Sequence, residues 1–142
     1  MGEGPLYDEV RSSAPDWAVF TGYLSGAELA AAYASGDVLL FPSTTETLGF
    51  AALESSASGL PVVAANAGGL PFVIDDGDTG VLVDPEASDA TWADEIARVL
   101  QDDALRTQLS TAARAEAQRW TWRASSEQVV DYYDEVIRNA GR

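Results

Sequence analysis

Pro42-Ser43-Thr44-Thr45-Glu46-Thr47-Leu48-Gly49-Phe50-Ala51-Ala52-Leu53-Glu54-Ser55-Ser56-Ala57-Ser58-Gly59-Leu60-Pro61-Val62-Val63-Ala64 decides the fold. An apolar run, Val38 to Phe41, enters Pro42, where a strand must stop pairing because proline has no N–H to give a ladder. A Ser/Thr/Glu loop follows, then an Ala-rich segment with helical character that ends at Gly59, before Pro61 and a second apolar run. The stretch therefore reads as strand, polar turn, helix and strand, the repeating unit of an α/β parallel sheet. In open sheets of this kind ligands sit at the strand-to-helix turn, because the helix N-terminus offers unpaired N–H groups and a partial positive charge. Two glutamates bracket the turn, Glu46 in the loop and Glu54 one to two turns into the helix.

Working outward, the segment Trp17 to Thr21 is expected to be a strand ending at Gly22, after a short helix over Leu6 to Ser12. Ser25-Gly26-Ala27-Glu28 has the spacing of a capping box, with Leu24 and Leu29 as its hydrophobic staple, and predicts a helix from Gly26 to Ser35. Asp37 to Phe41 is expected to be a buried parallel strand. The central helix is expected over Leu48 to Ser58 with Thr47 as N-cap, followed by a strand at Leu60 to Ala65. A short helical turn is expected at Leu70 to Ile74, a Gly77 turn within Asp75 to Asp78, and a strand at Gly80 to Val83. Beyond Pro85 the apolar period becomes helical, through Trp92, Ile96, Val99 and Leu100, then Leu105, Leu109 and Ala112, then Val129, Tyr132, Tyr133, Val136 and Ile137. The last third is thus expected to be helical and to cover the sheet, with Trp92, Trp120 and Trp122 as packing residues.

A length of 142 residues, 46% hydrophobic, fits one globular domain with a real core. No apolar run reaches the roughly 18 residues of a membrane span, and the N-terminus lacks a basic and apolar signal pattern. The absence of Cys and His excludes thiolate and imidazole chemistry, so a zinc cluster, a disulfide frame, a Ser-His-Asp triad and a histidine base are ruled out. With 23 acidic and 8 basic residues, a formal charge of −15, nucleic acid and anionic lipid surfaces are poor partners. All the basic residues are arginines, and none falls between Arg11 and Arg98.

The glutamate pair, separated by seven residues and followed by Ser58-Gly59-Leu60-Pro61-Val62-Val63-Ala64, resembles the signature of the family-four retaining glycosyltransferases of GT-B fold. The resemblance extends through Gly2-Glu3-Gly4-Pro5, Val19-Phe20-Thr21-Gly22, Ala32-Tyr33-Ala34-Ser35-Gly36-Asp37-Val38, Gly68-Gly69-Leu70-Pro71 and Asp78-Thr79-Gly80-Val81-Leu82-Val83-Asp84-Pro85, so it covers almost the whole chain. It implies a Rossmann-like parallel sheet with flanking helices, the nucleotide-sugar-binding C-terminal half of the GT-B fold, spanning 1–142 as a single domain. The Glu-Thr-Leu-Gly wording at 46–49 is most similar to sulfoquinovosyltransferases, which use UDP-sulfoquinovose and diacylglycerol.

By this resemblance Glu54 accepts hydrogen bonds from the ribose hydroxyls, a cis-diol suited to two carboxylate oxygens, and Glu46 contacts the donor sugar as the catalytic carboxylate. The backbone N–H groups of Leu48, Gly49 and Phe50 face the diphosphate; Gly49 either admits a phosphate or hexose close to the backbone or lets the helix pack on its strand. By the same resemblance the loop of Gly22 and Tyr23 faces the uracil, while Tyr23 reads equally well as a core or surface aromatic. Phe72 stands where relatives carry an acidic residue. The leaving diphosphate is expected to be stabilised by the helix N-terminus, with no cofactor and no metal. The family's diphosphate-binding Arg and Lys come from a first βα unit that this chain is expected to lack, along with the N-terminal domain that holds the lipid or sugar acceptor. The chain alone is therefore expected to turn over little. The expected setting is cytoplasmic or the plastid stromal side, with membrane contact through the other domain. Two other readings remain: a mannosyl- or glucosyltransferase using GDP-mannose or UDP-glucose, and a non-catalytic module that pairs its incomplete sheet with another chain.

Overall fold

The computed structural model describes residues 4–140, and the expected turn at Gly2 to Pro5 lies partly outside them. The chain divides into two compact units, Met1–Ala32 and Tyr33–Arg142.

In the first unit, helix α1 (Tyr7–Ser13) carries Asp8 and Glu9 in its first turn, where a carboxylate favours the helix dipole. Its end is set by Ser12 and Ser13, whose hydroxyls donate back to the Glu9 carbonyl at 2.8 and 3.1 Å, and by the extended Ala14 that precedes Pro15. Tyr7 meets Phe20 edge to face, with ring centroids 5.7 Å apart. The expected strand at Trp17 to Thr21 does not form. The segment is irregular, and Trp17 and Val19 are exposed. Alternating apolar residues become a strand only when a ladder partner takes up their backbone groups, and none does so here among the described residues. Helix α2 (Gly26–Ala34) starts where the sequence places it, and its last turn, from Tyr33, belongs to the second unit.

The second unit contains a parallel sheet of order β1-β2-β3, from β1 (Leu39–Phe41), β2 (Val62–Ala65) and β3 (Val81–Val83). Leu39 pairs with Val62, and Val63 with Val81. All four residues of β2 are buried, as a central parallel strand demands. Strand β1 is parallel as expected, but it is shorter and only half-buried. It has a ladder partner on one side alone, which leaves Leu40 46% exposed.

Helix α3 (Phe50–Ala57) connects β1 to β2. It closes with the Gly59 N–H donating to the Ser56 carbonyl and the Leu60 N–H to the Ser55 carbonyl, the paired bonds of a Schellman motif. Buried Ser55 donates its hydroxyl to the Leu60 carbonyl at 2.9 Å, pinning the helix end to the start of the next strand.

Helices α4 (Asp89–Gln101), α5 (Asp103–Ala117) and α6 (Trp122–Ala140) complete the unit. Ser88 caps α4 by accepting from the Thr91 N–H. Asp102 ends α4 and caps α5, accepting from the Leu105 N–H at 2.9 Å, while Arg106 donates to the orphan carbonyls of Val99 and Leu100. Val99 and Leu109 are fully buried against Val63, Val81 and Val83. On the other side of the sheet, Ala52, Leu70 and Ile74 pack with Val62 and Ala64. The expectation that the last third covers the sheet holds for α4 and α5. It fails for α6, which buries no residue and leaves Val129, Tyr132, Tyr133, Val136 and Ile137 exposed. Periodicity in α6 marks an apolar stripe, but burial needs a facing surface.

Candidate functional site

The loop from Pro42 to Gly49 joins the end of β1 to the start of α3 and presents Glu46. The helix begins at Phe50, two residues later than expected, and its N-cap is Gly49 at φ +86° rather than Thr47. A Cβ on Gly49 would stand 2.7 Å from the Leu70 side chain, so both its left-handed backbone and the space filled by Leu70 require glycine. The neighbour at Gly49 is Leu70 of the 3-10 turn Leu70–Phe72 rather than a strand residue. Leu48 lies outside the helix, its side chain packed against the core. The first free N–H groups of the helix start at the Phe50 end, since N–H groups of the first turn have no intrahelical acceptor. Phe50 itself points an exposed ring outward.

Glu46 is held through its backbone. The Gly69 N–H donates to the Glu46 carbonyl at 2.8 Å. A Cβ on Gly68 would stand 2.6 Å from that same carbonyl oxygen, and one on Gly69 would overlap the Thr47 carbonyl. The glycine pair therefore fits against the 46–48 backbone as a clamp. Among the described residues no hydrogen bond or ion pair to the Glu46 carboxylate is found. Phe72, in the short 3-10 turn Leu70–Phe72, is exposed.

Glu54 is held through its carboxylate. It lies on the exposed face of α3 and accepts a hydrogen bond from the Tyr33 hydroxyl at 3.1 Å. Tyr33 is the one buried residue of α2, at 6% exposure. Burial pushes its phenol up to about 12, with the hydrogen bond to Glu54 and the negative charge of Glu54 acting in the same direction. Sequence reasoning did not assign Tyr33 a role, because ring burial and the direction of a hydroxyl are tertiary facts. The signal available was a hydroxyl-bearing aromatic within the Ala32-Tyr33-Ala34 motif.

Gly22 and Tyr23 belong to the first unit, with Gly22 at φ +65° and Tyr23 78% exposed, whereas Glu46 to Glu54 belong to the second. Trp92 is a packing residue, as expected, against both faces of the sheet core. Trp122 is not: its ring is 86% exposed, because it begins α6. With Trp120, Leu48, Phe50 and Leu53 it lines an open apolar cavity of about 210 Å³ beside the turn.

The electrostatics around the turn are one-sided. Among the described residues the ion pairs, Arg98–Glu95, Arg106–Asp103, Arg119–Glu116 and Arg123–Glu127, all lie between the start of α4 and the end of α6. Among the described residues no group of three Asp, Glu, His or Cys side chains is arranged to hold a metal, and no helix is long and apolar enough to cross a membrane.

Known proteins resemble this chain in sequence and fold. The chain is 42% identical over 134 residues to the sulfoquinovosyl transferase SQD2 of Arabidopsis thaliana, covering 91% of this chain and 26% of the relative. It is 40% identical over 112 residues to the D-inositol 3-phosphate glycosyltransferase of Corynebacterium glutamicum, covering 79% and 27%. The chain thus spans about a quarter of the length of these curated relatives. The Anabaena protein HepE, solved in complex with UDP-glucose, matches with a TM-score of 0.77 at 26% identity, over 92% of this chain and 36% of HepE. These neighbours place the parallel sheet and its helices in the Rossmann-like GT-B architecture. The family described as Glycosyl transferases group 1 matches residues 13–116, and with the sheet, the turn and these likenesses in hand the chain belongs to that family.

Proposed function

We propose that the chain is the donor-binding part of a UDP-sugar-dependent retaining glycosyltransferase that transfers sulfoquinovose to diacylglycerol. One observation carries the choice within the family: the likeness to the sulfoquinovosyl transferase extends over 91% of the chain, against 79% and 77% for inositol phosphate glycosyltransferases that match at a similar identity of 40% and 44%. The likeness to a protein solved with UDP-glucose supports a nucleotide-sugar donor.

In this reading Glu54 accepts from the ribose cis-diol and Glu46 contacts the sugar hydroxyls. The first-turn N–H groups of α3 lie toward the diphosphate and stabilise the charge that grows on it as the glycosidic bond breaks. The acceptor hydroxyl attacks from the face the diphosphate leaves, which retains the anomeric configuration. Since residues 12–97 contain no cation, backbone dipoles are this chain's own contribution to anion binding there. The acceptor binds to another domain. A second reading, a different sugar on the same donor site, is favoured by the inositol phosphate glycosyltransferase likeness at 40% identity.

Calorimetric titration with UDP, GDP, UDP-glucose and UDP-sulfoquinovose, alongside Glu54→Ala, tests both. The expected result is UDP-selective binding, tightest for UDP-sulfoquinovose and lost in the variant. Preference for UDP-glucose or GDP moves the assignment to the second reading. Failure to bind any of the four overturns the donor-site reading.

A further inference from the structure

We propose that Tyr33 is a positioning residue for nucleotide binding: its hydroxyl fixes the Glu54 carboxylate in the orientation that receives the ribose cis-diol. The inference rests on the donor-site reading above and adds to it a residue from a different helix, 21 positions upstream.

The argument starts from a mismatch in mobility. A glutamate on an exposed helix face has three side-chain torsions and samples several rotamers, so recognising a rigid diol would require it to be ordered at the moment of binding. Tyr33 has two torsions, and its ring is packed in the core at 6% exposure. A ring held that way acts as a strut whose one polar atom emerges beside α3. That atom donates to Glu54 Oε2 at 3.1 Å, while no hydrogen bond to Oε1 is found among the described residues. One carboxylate oxygen is therefore anchored and the other left to accept from the ligand, with lone-pair capacity remaining on both. The bond has a fixed polarity, since a buried phenol stays protonated throughout the neutral range and can only donate to this carboxylate. A purely structural tyrosine hydroxyl would be satisfied equally well by a backbone carbonyl. Here its partner is the one acidic side chain of α3.

The test is a double-mutant cycle read by calorimetry with UDP and with 2′,3′-dideoxy-UDP, using wild type, Tyr33→Phe, Glu54→Gln and the double variant. Tyr33→Phe keeps the packed ring, and its thermal unfolding is compared with wild type to confirm the fold. The expected result is that Tyr33→Phe weakens UDP binding about fivefold, on the scale of the net contribution of one ordinary hydrogen bond. It is expected to leave dideoxy-UDP binding unchanged and to have no further effect when Glu54 is already glutamine. If Glu54→Gln weakens UDP but Tyr33→Phe does not, or weakens both nucleotides equally, the positioning role is overturned while the donor site stands. If Glu54→Gln leaves UDP binding intact, the ribose assignment of Glu54 falls and the role of Tyr33 falls with it. A readout independent of nucleotide is carbon-13 NMR titration of the Tyr33 ring. Glu54→Gln should bring the phenol down from about 12 toward its ordinary value, and an unmoved titration would show that the contact is absent in solution.

Discussion

The turn at Glu46 and the helix face at Glu54 hold a carboxylate in opposite ways. At Glu46 the backbone is clamped by Gly68 and Gly69 and no partner of the side chain is found among the described residues; at Glu54 the backbone is ordinary helix and the side chain is tethered by Tyr33. A clamped loop can give its carboxylate freedom to follow a sugar whose ring position changes during reaction. A tethered carboxylate suits a ligand part that stays still, such as a ribose. The difference teaches that two carboxylates of one motif can be ordered in different ways, and that the supporting residues, Gly68, Gly69 and Tyr33, lie outside the motif.

The comparison breaks most severely at Gly69. Gly69→Ala forces a methyl into the Thr47 carbonyl, a backbone atom that cannot rotate away, so a loss of about 3 kcal/mol is expected from overpacking, with displacement of Glu46. Urea denaturation and UDP-sugar titration check both effects, and unchanged stability would show that the clamp is loose. On the helix side, Ser55→Ala removes the buried bond to the Leu60 carbonyl and should cost about 1 kcal/mol in the same assay, without altering nucleotide affinity.

A gentler probe uses pH. The folded state holds the Tyr33 phenol at about 12, above its unfolded value near about 10. The stability it contributes is therefore complete below about pH 10 and is lost as pH rises through about 12. Thermal unfolding midpoints should fall more steeply over that window in wild type than in Tyr33→Phe. The smallest effect is expected far from both carboxylates. Ile137→Ser on the bare stripe of α6 should change stability by no more than about 0.5 kcal/mol, and a larger loss in urea would show that the stripe is covered in solution.

Much of this was legible in the sequence. The switch from strand to helix at Pro42 to Phe50 and the helical period after Pro85 are local patterns, and α1, α2, α3, α4, α5 and β2 follow them closely. What escaped was nonlocal. The helix starts at Phe50 rather than Leu48 because Gly49 takes a left-handed backbone that cannot continue a right-handed helix, and Trp17 to Thr21 stayed irregular because a strand depends on its partner. The two glutamates could be singled out as candidates, yet Tyr33 could not, since nothing in its neighbours specifies where its hydroxyl ends. The apolar cavity beside the turn escaped for the same reason: Trp122 has helical spacing, and only its position at the start of α6 turns the ring outward.

The placement of the arginines has a consequence for handling the protein. Trypsin cuts after Arg and Lys, and in this lysine-free chain its sites are Arg11 and then nothing until Arg98. The sheet, α2, α3 and both glutamates travel together as one fragment, Ser12–Arg98, whatever their local openings. Limited trypsinolysis therefore reports on the fraying of α4 to α6 and is blind to the turn, so a protease map of ligand protection at Glu46 and Glu54 calls for an enzyme that cleaves at acidic or aromatic residues.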